Sequence, residues 1–246
     1  MRKTFLSSVG LLAVLSLSLG PCLQAQTPAP EPEFKPALVE KPMLDFTLPM
    51  YQGGELSLAS LHGKNVVLIV PRFMAAPGSY CTIDDYQYLD IVDAEKMNQL
   101  QKKYNAEIVY LFPFGRDEVS KRLTSLPEQM EKIKSAKYPP DLSKLDDKGK
   151  ARMERWRKLF HKDFSLKPGE VPTPFPILLD ADRKIAKGLG VFASDWSGSK
   201  VEQGIPSVFI IDAQGRLMFK YIGQSPADRP SPEYLGNILE MINKSK

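Results

Sequence analysis

The chain has 246 residues, 43% of them hydrophobic, with 33 Lys and Arg against 29 Asp and Glu and a formal net charge of +4. So balanced a charge excludes the strongly basic composition typical of nucleic-acid-binding proteins, and the hydrophobic share is enough for a folded core. We therefore expect no nucleic-acid partner.

The first 25 residues have the pattern of an export signal. Arg2 and Lys3 precede an uncharged stretch from Phe5 to Leu19, and Ala25 offers a cleavage site. Because this stretch is shorter than the roughly 20 apolar residues of a membrane span, we expect cleavage of a signal peptide. The alternative is lipid attachment at Cys22, which would tether the chain to a membrane. Both alternatives predict an exported protein, periplasmic or extracellular.

Cys81 is the only cysteine that remains once the signal peptide is removed. A single thiol in an exported protein cannot form an internal disulfide, so it is a reactive group, an intermolecular linker or a leftover that packs as a small buried hydrophobe. The only histidines are His62 and His161, and neither has a second histidine or a cysteine nearby in the sequence. We therefore expect no metal site and no cofactor.

Residues 26–42 are rich in Pro and Glu, which favours an extended linker, and residues 43–246 have the pattern of an α/β domain. Alternating apolar residues at 44–48 and 55–58, around a Gly-Gly turn, predict a hairpin. The β-branched run 66–70 predicts a buried strand, 84–104 a helix and 107–112 a second buried strand. That order implies a parallel crossover.

Residues 117–172 form a charged helical insertion whose two stretches are separated by the helix-stopping Tyr138-Pro139-Pro140. In the second stretch Met153, Trp156 and Phe160 recur at helical spacing, so its basic residues should face water. That basic face is either simply solvated or a docking site for an acidic partner. Strands at 175–180, 207–212 and 216–222, a short helix at 183–189 and a final helix capped by Ser231 complete the predicted domain.

Four segments of this pattern resemble one known family. They are Asp45–Leu48, Leu61–Leu68, the cysteine at the head of the first long helix, and Gly204–Gly215. Together they are similar to the thioredoxin-fold peroxiredoxins, most closely the alkyl hydroperoxide reductase/thiol-specific antioxidant group. The resemblance implies a thioredoxin-like three-layer α/β fold with a mixed central sheet, an N-terminal β-hairpin and the helical insertion.

The same resemblance implies roles for three residues. Cys81 takes the position of the thiolate that attacks peroxide. Arg183 resembles the family arginine that follows a strand ending in Asp and reaches the thiolate. Pro206 lies where thioredoxin-fold proteins place a proline facing the active site, often in the cis form.

The loop before Cys81 departs from the family motif, Pro-x-x-x-Thr/Ser-x-x-Cys. Pro71 stands ten residues before Cys81, so the loop is three residues longer than the motif requires. Neither Ser79 nor Thr82 has the spacing of the motif's hydroxyl, although either is a candidate to replace it.

The resemblance implies a thiol peroxidase, an oxidoreductase that reduces hydrogen peroxide or organic hydroperoxides at Cys81. A helix N-terminus and an arginine that lowered the pKa of the thiol to about 6 would make it about 90% thiolate at pH 7. Because no second cysteine remains in the mature chain, an external thiol or a thioredoxin-like reductant must restore Cys81 in a one-cysteine cycle. The alternative is a non-catalytic thioredoxin-fold binding module in the cell envelope.

Overall fold

The computed structural model describes residues 39–244. The predicted signal peptide, the candidate lipidation site at Cys22 and most of the predicted linker lie outside the described residues. The strands are β1 (Thr47–Pro49), β2 (Glu55–Ser57), β3 (Asn65–Val70), β4 (Met74–Ala76), β5 (Ser79–Tyr80), β6 (Ala106–Phe112), β7 (Ile177–Leu179), β8 (Phe192–Ala193), β9 (Gln203–Gly204), β10 (Ser207–Ile211) and β11 (Leu217–Ile222). The helices are α1 (Thr82–Asn98), α2 (Leu100–Lys103), α3 (Arg116–Thr124), α4 (Leu126–Lys137), α5 (Asp147–Leu159), α6 (Lys184–Gly188) and α7 (Pro232–Lys244).

The central sheet has five strands in the order β11-β10-β3-β6-β7. β3, β6 and β7 are parallel, and β10 runs antiparallel to both β3 and β11. Every residue of β3 is buried, as expected for a β-branched run in a central strand covered on both faces. The predicted mixed sheet with a parallel crossover from β3 to β6 is confirmed.

The sheet separates two apolar clusters, because alternate residues of each strand point to opposite faces. Val67 and Ile69 pack in one cluster with residues of α1, α3, α4 and α7. Leu68 packs in the other, with Phe46 before the β1–β2 hairpin and Ile185 of α6. This arrangement is the predicted three-layer fold with an N-terminal hairpin.

The insertion contains three helices rather than the two predicted helical stretches. The first stretch divides at Ser125 into α3 and α4, and Pro127 lies in the first turn of α4, where its missing N–H costs no hydrogen bond. Tyr138-Pro139-Pro140 ends α4 at Lys137, as predicted. In α5, Met153 is buried, and Phe160 directly after the helix is buried as well.

Four features differ from the sequence-based expectation. The hairpins β4–β5 and β8–β9 were not expected. Helix α1 ends at Asn98 because Gln99 has a left-handed conformation (φ 48°), and Met97 is exposed instead of packing with the buried face. Residues 40–42, at the end of the predicted linker, lie along β11, where Leu217 exchanges backbone hydrogen bonds with Glu40 and Lys41.

Within residues 39–244, no helix combines the length and the apolar character needed to cross a membrane.

Candidate active site

Cys81 lies at the junction between β5 and α1, as the N-cap residue of a 17-residue helix. Its carbonyl oxygen accepts hydrogen bonds from the backbone N–H groups of Asp84 and Asp85, and its own N–H donates to the carbonyl of Phe73. The residue is a free thiol with only 2% of its surface exposed. The predicted position at a helix N-terminus is therefore correct, and the thiol is buried there.

The guanidinium beside the thiol belongs to Arg229, in the loop between β11 and α7. Its Nη2 lies 3.6 Å from Cys81 Sγ. The same group binds Asp84 Oδ1 through Nε at 2.9 Å and Nη2 at 2.5 Å. Because Arg229 and Asp84 are both almost fully buried, this ion pair holds the guanidinium against the sulfur.

Asp84 also fixes the backbone in front of Cys81. Its Oδ2 accepts a 2.7 Å hydrogen bond from the N–H of Phe73, whose carbonyl accepts the N–H of Cys81. Phe73 has a φ of 69°, a left-handed conformation that is unfavourable for an aromatic residue. Such strain costs about 1–3 kcal/mol and persists only where neighbouring contacts impose it. Asp84 is one of those contacts.

A second buried ion pair lies one residue further along α1. Arg122 of α3 donates from Nε to Asp85 Oδ1 at 2.8 Å, and both side chains are essentially inaccessible to solvent. The guanidinium of Arg122 lies 4.9 Å from the ring centre of Phe73 and 5.0 Å from that of Phe112. The charged insertion thus contributes a cation to the interior next to the candidate site.

These surroundings raise the pKa of the Cys81 thiol to about 11. Burial is the largest cause, the negative charge of Asp84 adds to it, and Arg229 opposes both. Burial also works to raise the pKa of Asp84, but Arg229 and Arg122 outweigh it and hold that pKa below its usual value. Asp84 is therefore ionised at neutral pH and partly neutralises the arginine that would stabilise a thiolate. The pKa of about 6 considered from the sequence for a thiol beside a helix N-terminus and an arginine is therefore not reached here.

The lengthened segment between Pro71 and Cys81 contains the β4–β5 hairpin. Gly78, with a φ of 69°, makes its turn, and the hairpin is held to the β8–β9 region by a 2.5 Å hydrogen bond from Ser199 Oγ to the carbonyl of Ala75. Ser79 is exposed in β5, and Thr82 is half-buried at the first residue of α1. No hydrogen bond joins the hydroxyl of either of these two described residues to Cys81 Sγ, so their role at the thiol stays a prediction.

Arg183 is not the arginine that contacts the thiol. It has a left-handed φ of 63° before α6, and its Nη2 binds Glu202 Oε2 at 2.9 Å. Its guanidinium also lies 5.8 Å from the ring centre of Phe114 and 5.7 Å from that of Phe192. The guanidinium of Arg183 thus contacts Glu202 and two aromatic rings, whereas the guanidinium beside the thiol is that of Arg229.

Pro71 and Pro206 lie side by side at one end of the sheet, because Val70 and Ser207 are paired in register in β3 and β10. Both prolines are buried, and the Ile205–Pro206 peptide bond is trans rather than cis. Gly204 packs against this corner so closely that a Cβ there would overlap the carbonyl oxygen of Pro71. Only glycine therefore fits at position 204 without moving the backbone.

Residues 39–244 contain no group of three or more His, Cys, Asp or Glu side chains arranged to hold a metal ion. The groups at the site that could take part in a reaction are one buried thiol, a helix N-terminus and one guanidinium that is paired with a carboxylate.

Comparisons with known proteins identify the fold. No protein-family profile matches the chain, and no curated protein does. Among solved structures, the chain is similar to the reduced 2-Cys peroxiredoxin of Plasmodium vivax, with a TM-score of 0.51, 16% identity, and coverage of 85% of this chain and 83% of that one. It is also similar to a cysteine-to-serine mutant of peroxiredoxin 6 of Arenicola marina, with a TM-score of 0.52, 13% identity, and coverage of 85% and 74%. At such identities the similarity establishes the fold, and the chain is a thioredoxin-fold protein with a peroxiredoxin-like architecture.

Proposed function

We propose that this protein is a one-cysteine thiol peroxidase that uses Cys81. The observation that carries the proposal is the 3.6 Å contact between Arg229 Nη2 and Cys81 Sγ at the start of α1, within a peroxiredoxin-like fold. Both a helix N-terminus and a guanidinium stabilise negative charge, on a thiolate before the reaction and on the leaving oxygen during it.

The chemistry has two stages. The thiolate of Cys81 attacks one oxygen of a hydroperoxide, an S–O bond forms, and the O–O bond breaks. The leaving alkoxide or hydroxide takes up a proton, so that the products are a sulfenic acid and an alcohol or water. Two external thiols, or a thioredoxin-like dithiol, then reduce the sulfenic acid to the thiol, releasing a disulfide and water.

The resting conformation limits the first stage. With a pKa of about 11, about one Cys81 side chain in 10,000 is ionised at pH 7, compared with about 1% for a thiol of pKa 9. The proposed reaction therefore requires a change that admits peroxide to the buried thiol and loosens the hold of Asp84 on Arg229. An unneutralised Arg229 would then stabilise the thiolate by its full charge.

Turnover tests this proposal directly. The full chain carrying Cys22→Ser, with Cys81 as its only thiol, should consume hydrogen peroxide or cumene hydroperoxide when dithiothreitol or a thioredoxin system supplies electrons. The matched Cys81→Ser variant should be inactive. Consumption that is equal in the two proteins would contradict the proposal.

The second candidate is a non-catalytic binding module. The burial and raised pKa of Cys81 favour it, because both properties make the thiol inert. A module of this kind would show no peroxide consumption above background with any of these reductants, and Cys81→Ser would leave its partner binding unchanged.

Export of the protein is a further part of the proposal, and the sequence of residues 1–25 supports it. Mass spectrometry of protein purified from the cell envelope separates the two alternatives. Cleavage after Ala25 gives a mature chain that begins at Gln26, and lipidation gives a chain that begins at a modified Cys22. An intact N-terminus on protein from the cytosol would contradict export.

A further inference from the structure

A strained turn lies in the segment that connects Pro71 to Cys81. The N–H of Met74 donates to the carbonyl of Arg72 at 2.9 Å, and this bond closes a three-residue γ-turn around Phe73. Because the φ of Phe73 is 69°, the turn has the positive-φ form, which is rare and strained. The strain lies next to the thiol, since the carbonyl of Phe73 accepts the N–H of Cys81.

Strand β9 holds Arg72, on one side of this γ-turn. The Arg72 side chain is buried, and its Nε donates to Oε1 of the fully buried Gln203 at 2.6 Å. The ring of Trp196 lies against the guanidinium, with its centre 5.5 Å away. The carbonyl of Arg72 accepts a second hydrogen bond, from the N–H of Gly204 at 2.9 Å. Both the side chain and the backbone of Arg72 are therefore fixed.

The other side of the γ-turn is held by Ser199, in the loop before β9. Its Oγ donates to the carbonyl of Ala75 at 2.5 Å. Gln203 Nε2 donates to the carbonyl of Ser199 at 2.9 Å, so Gln203 also supports Ser199. We call Ser199 and Gln203 the β9 clamp. The clamp binds residues 72 and 75, and the strained Phe73 lies between them.

The strain and the clamp act in opposite directions. Release of Phe73 to a negative φ relieves the strain and breaks its hydrogen bonds with Asp84 and Cys81. The β4–β5 hairpin gives little resistance of its own, because within residues 39–244 it pairs with no third strand, and a two-stranded hairpin is only marginally stable in water. The closed conformation of residues 73–80 therefore depends on the clamp.

We propose that Arg72 and the β9 clamp are positioning residues of the candidate site, which hold Phe73 in its strained conformation and thereby keep Cys81 buried. When the clamp releases Arg72, the γ-turn relaxes and residues 73–80 move away from the thiol. As the route by which peroxide reaches Cys81, this opening rests on the proposed peroxidase. The opening itself involves no peroxide, so the two are tested separately.

Amide hydrogen exchange, followed by mass spectrometry on the full chain carrying Cys22→Ser, tests the proposal. Ser199→Ala removes one hydrogen bond of the clamp and is the test variant. Ser199→Thr keeps the hydroxyl and should behave as the wild type does. Ser194→Ala is the matched control, because Ser194 is an exposed serine in the same loop. Gln203→Met, which leaves the buried Arg72 side chain without its acceptor, is a second and stronger test.

In Ser199→Ala the amides of residues 74–81 should exchange about two- to tenfold faster than in the wild type, which is the effect of one lost hydrogen bond. The amides of β3 should keep their wild-type rates, because the opening is local. Iodoacetamide should label Cys81 faster by the same factor, since it reaches the thiol only in the open form. Gln203→Met should show a larger increase in both rates.

Three results would overturn the proposal. The first is equal exchange of residues 74–81 in Ser199→Ala and Ser194→Ala. The second is an equal acceleration in β3, which would indicate a loss of overall stability. The third is faster exchange of residues 74–81 without faster labelling of Cys81. A protein that opens as expected but consumes no peroxide would support the clamp and contradict only the proposed peroxidase.

Discussion

Replacing Asp84 with asparagine tests whether this carboxylate suppresses the Cys81 thiolate. Arg229 Nη2 lies 2.5 Å from Asp84 Oδ1 and 3.6 Å from Cys81 Sγ, so Oδ1 and Sγ are at most about 6 Å apart. At that separation two negative charges repel by about 3 kcal/mol with an effective dielectric constant of about 20. Burial, the largest cause of the raised pKa, remains in Asp84→Asn, so the pKa of Cys81 should fall from about 11 only part of the way to 9, and the thiolate population at neutral pH should rise by about tenfold.

The assay is the change in thiolate absorbance near 240 nm with pH, measured on the full chain carrying Cys22→Ser. Subtracting the same titration of the Cys81→Ser protein removes the tyrosine contribution. Absorbance reports ionisation even where a bulky alkylating reagent cannot reach a buried thiol. Asp93→Asn is the matched control, because Asp93 lies on the same helix and pairs with Lys162 instead of Arg229.

Asp84→Asn should lower the pKa of Cys81, whereas Asp93→Asn should leave it unchanged. We expect the variant to fold, because the amide oxygen of asparagine can still accept the hydrogen bond from the N–H of Phe73. Circular dichroism at each pH checks that it does. An unchanged or higher pKa of Cys81 in a folded Asp84→Asn protein would refute the electrostatic account of the site.

Three further predictions concern the same region. Arg229→Met should lower the free energy of unfolding in urea by about 3–5 kcal/mol, because it leaves Asp84 charged and buried, and Arg229→Lys should restore part of the loss. Arg183→Gln should change the free energy of unfolding by less than about 1 kcal/mol and leave the pKa of Cys81 unchanged, since its ion pair with Glu202 is partly exposed. Folding raises the pKa of Cys81, and this shift contributes to the free energy of unfolding. The contribution is complete below pH 9 and is lost as the pH rises toward 11. Cys81→Ala should therefore lose about 2–3 kcal/mol less than the wild type between pH 9 and pH 11 in urea unfolding.

The framework of the fold could be predicted from local patterns. The β-branched run 66–70 became the central strand β3, and Ser231 caps α7 through a hydrogen bond from the N–H of Tyr234 to its Oγ. The Pro139-Pro140 pair ended a helix where expected. In each case the cause lies within a few residues: side-chain branching, a capping hydroxyl or a missing backbone donor.

The electrostatics of the candidate site could not be predicted in the same way. Arg229 is 148 residues from Cys81 in the chain and lies in a loop without regular structure, so no local pattern marks it as a partner of the thiol. Asp84 is the first residue of the helix predicted over residues 84–104, and its charge raises the pKa of the nearby thiol. Which charges surround a buried group depends on tertiary packing, which also buried Cys81 itself.

The β4–β5 hairpin could not be predicted from the sequence for a different reason. Residues 74–80 contain only two short strands around Pro77-Gly78, without the alternation of apolar and polar residues that identifies longer strands. The extra length before Cys81 was visible in the sequence, although its conformation was not.

Mass spectrometry of Cys81 after exposure to peroxide tests the central claim most directly. The full chain carrying Cys22→Ser is mixed with hydrogen peroxide or cumene hydroperoxide in the presence of dimedone, which traps a sulfenic acid as a stable adduct. We predict an adduct at Cys81 that forms faster in Asp84→Asn and slower in Arg229→Lys. A folded protein in which Cys81 forms no adduct, either as the wild type or as Asp84→Asn, would contradict the proposed peroxidase and favour the binding module.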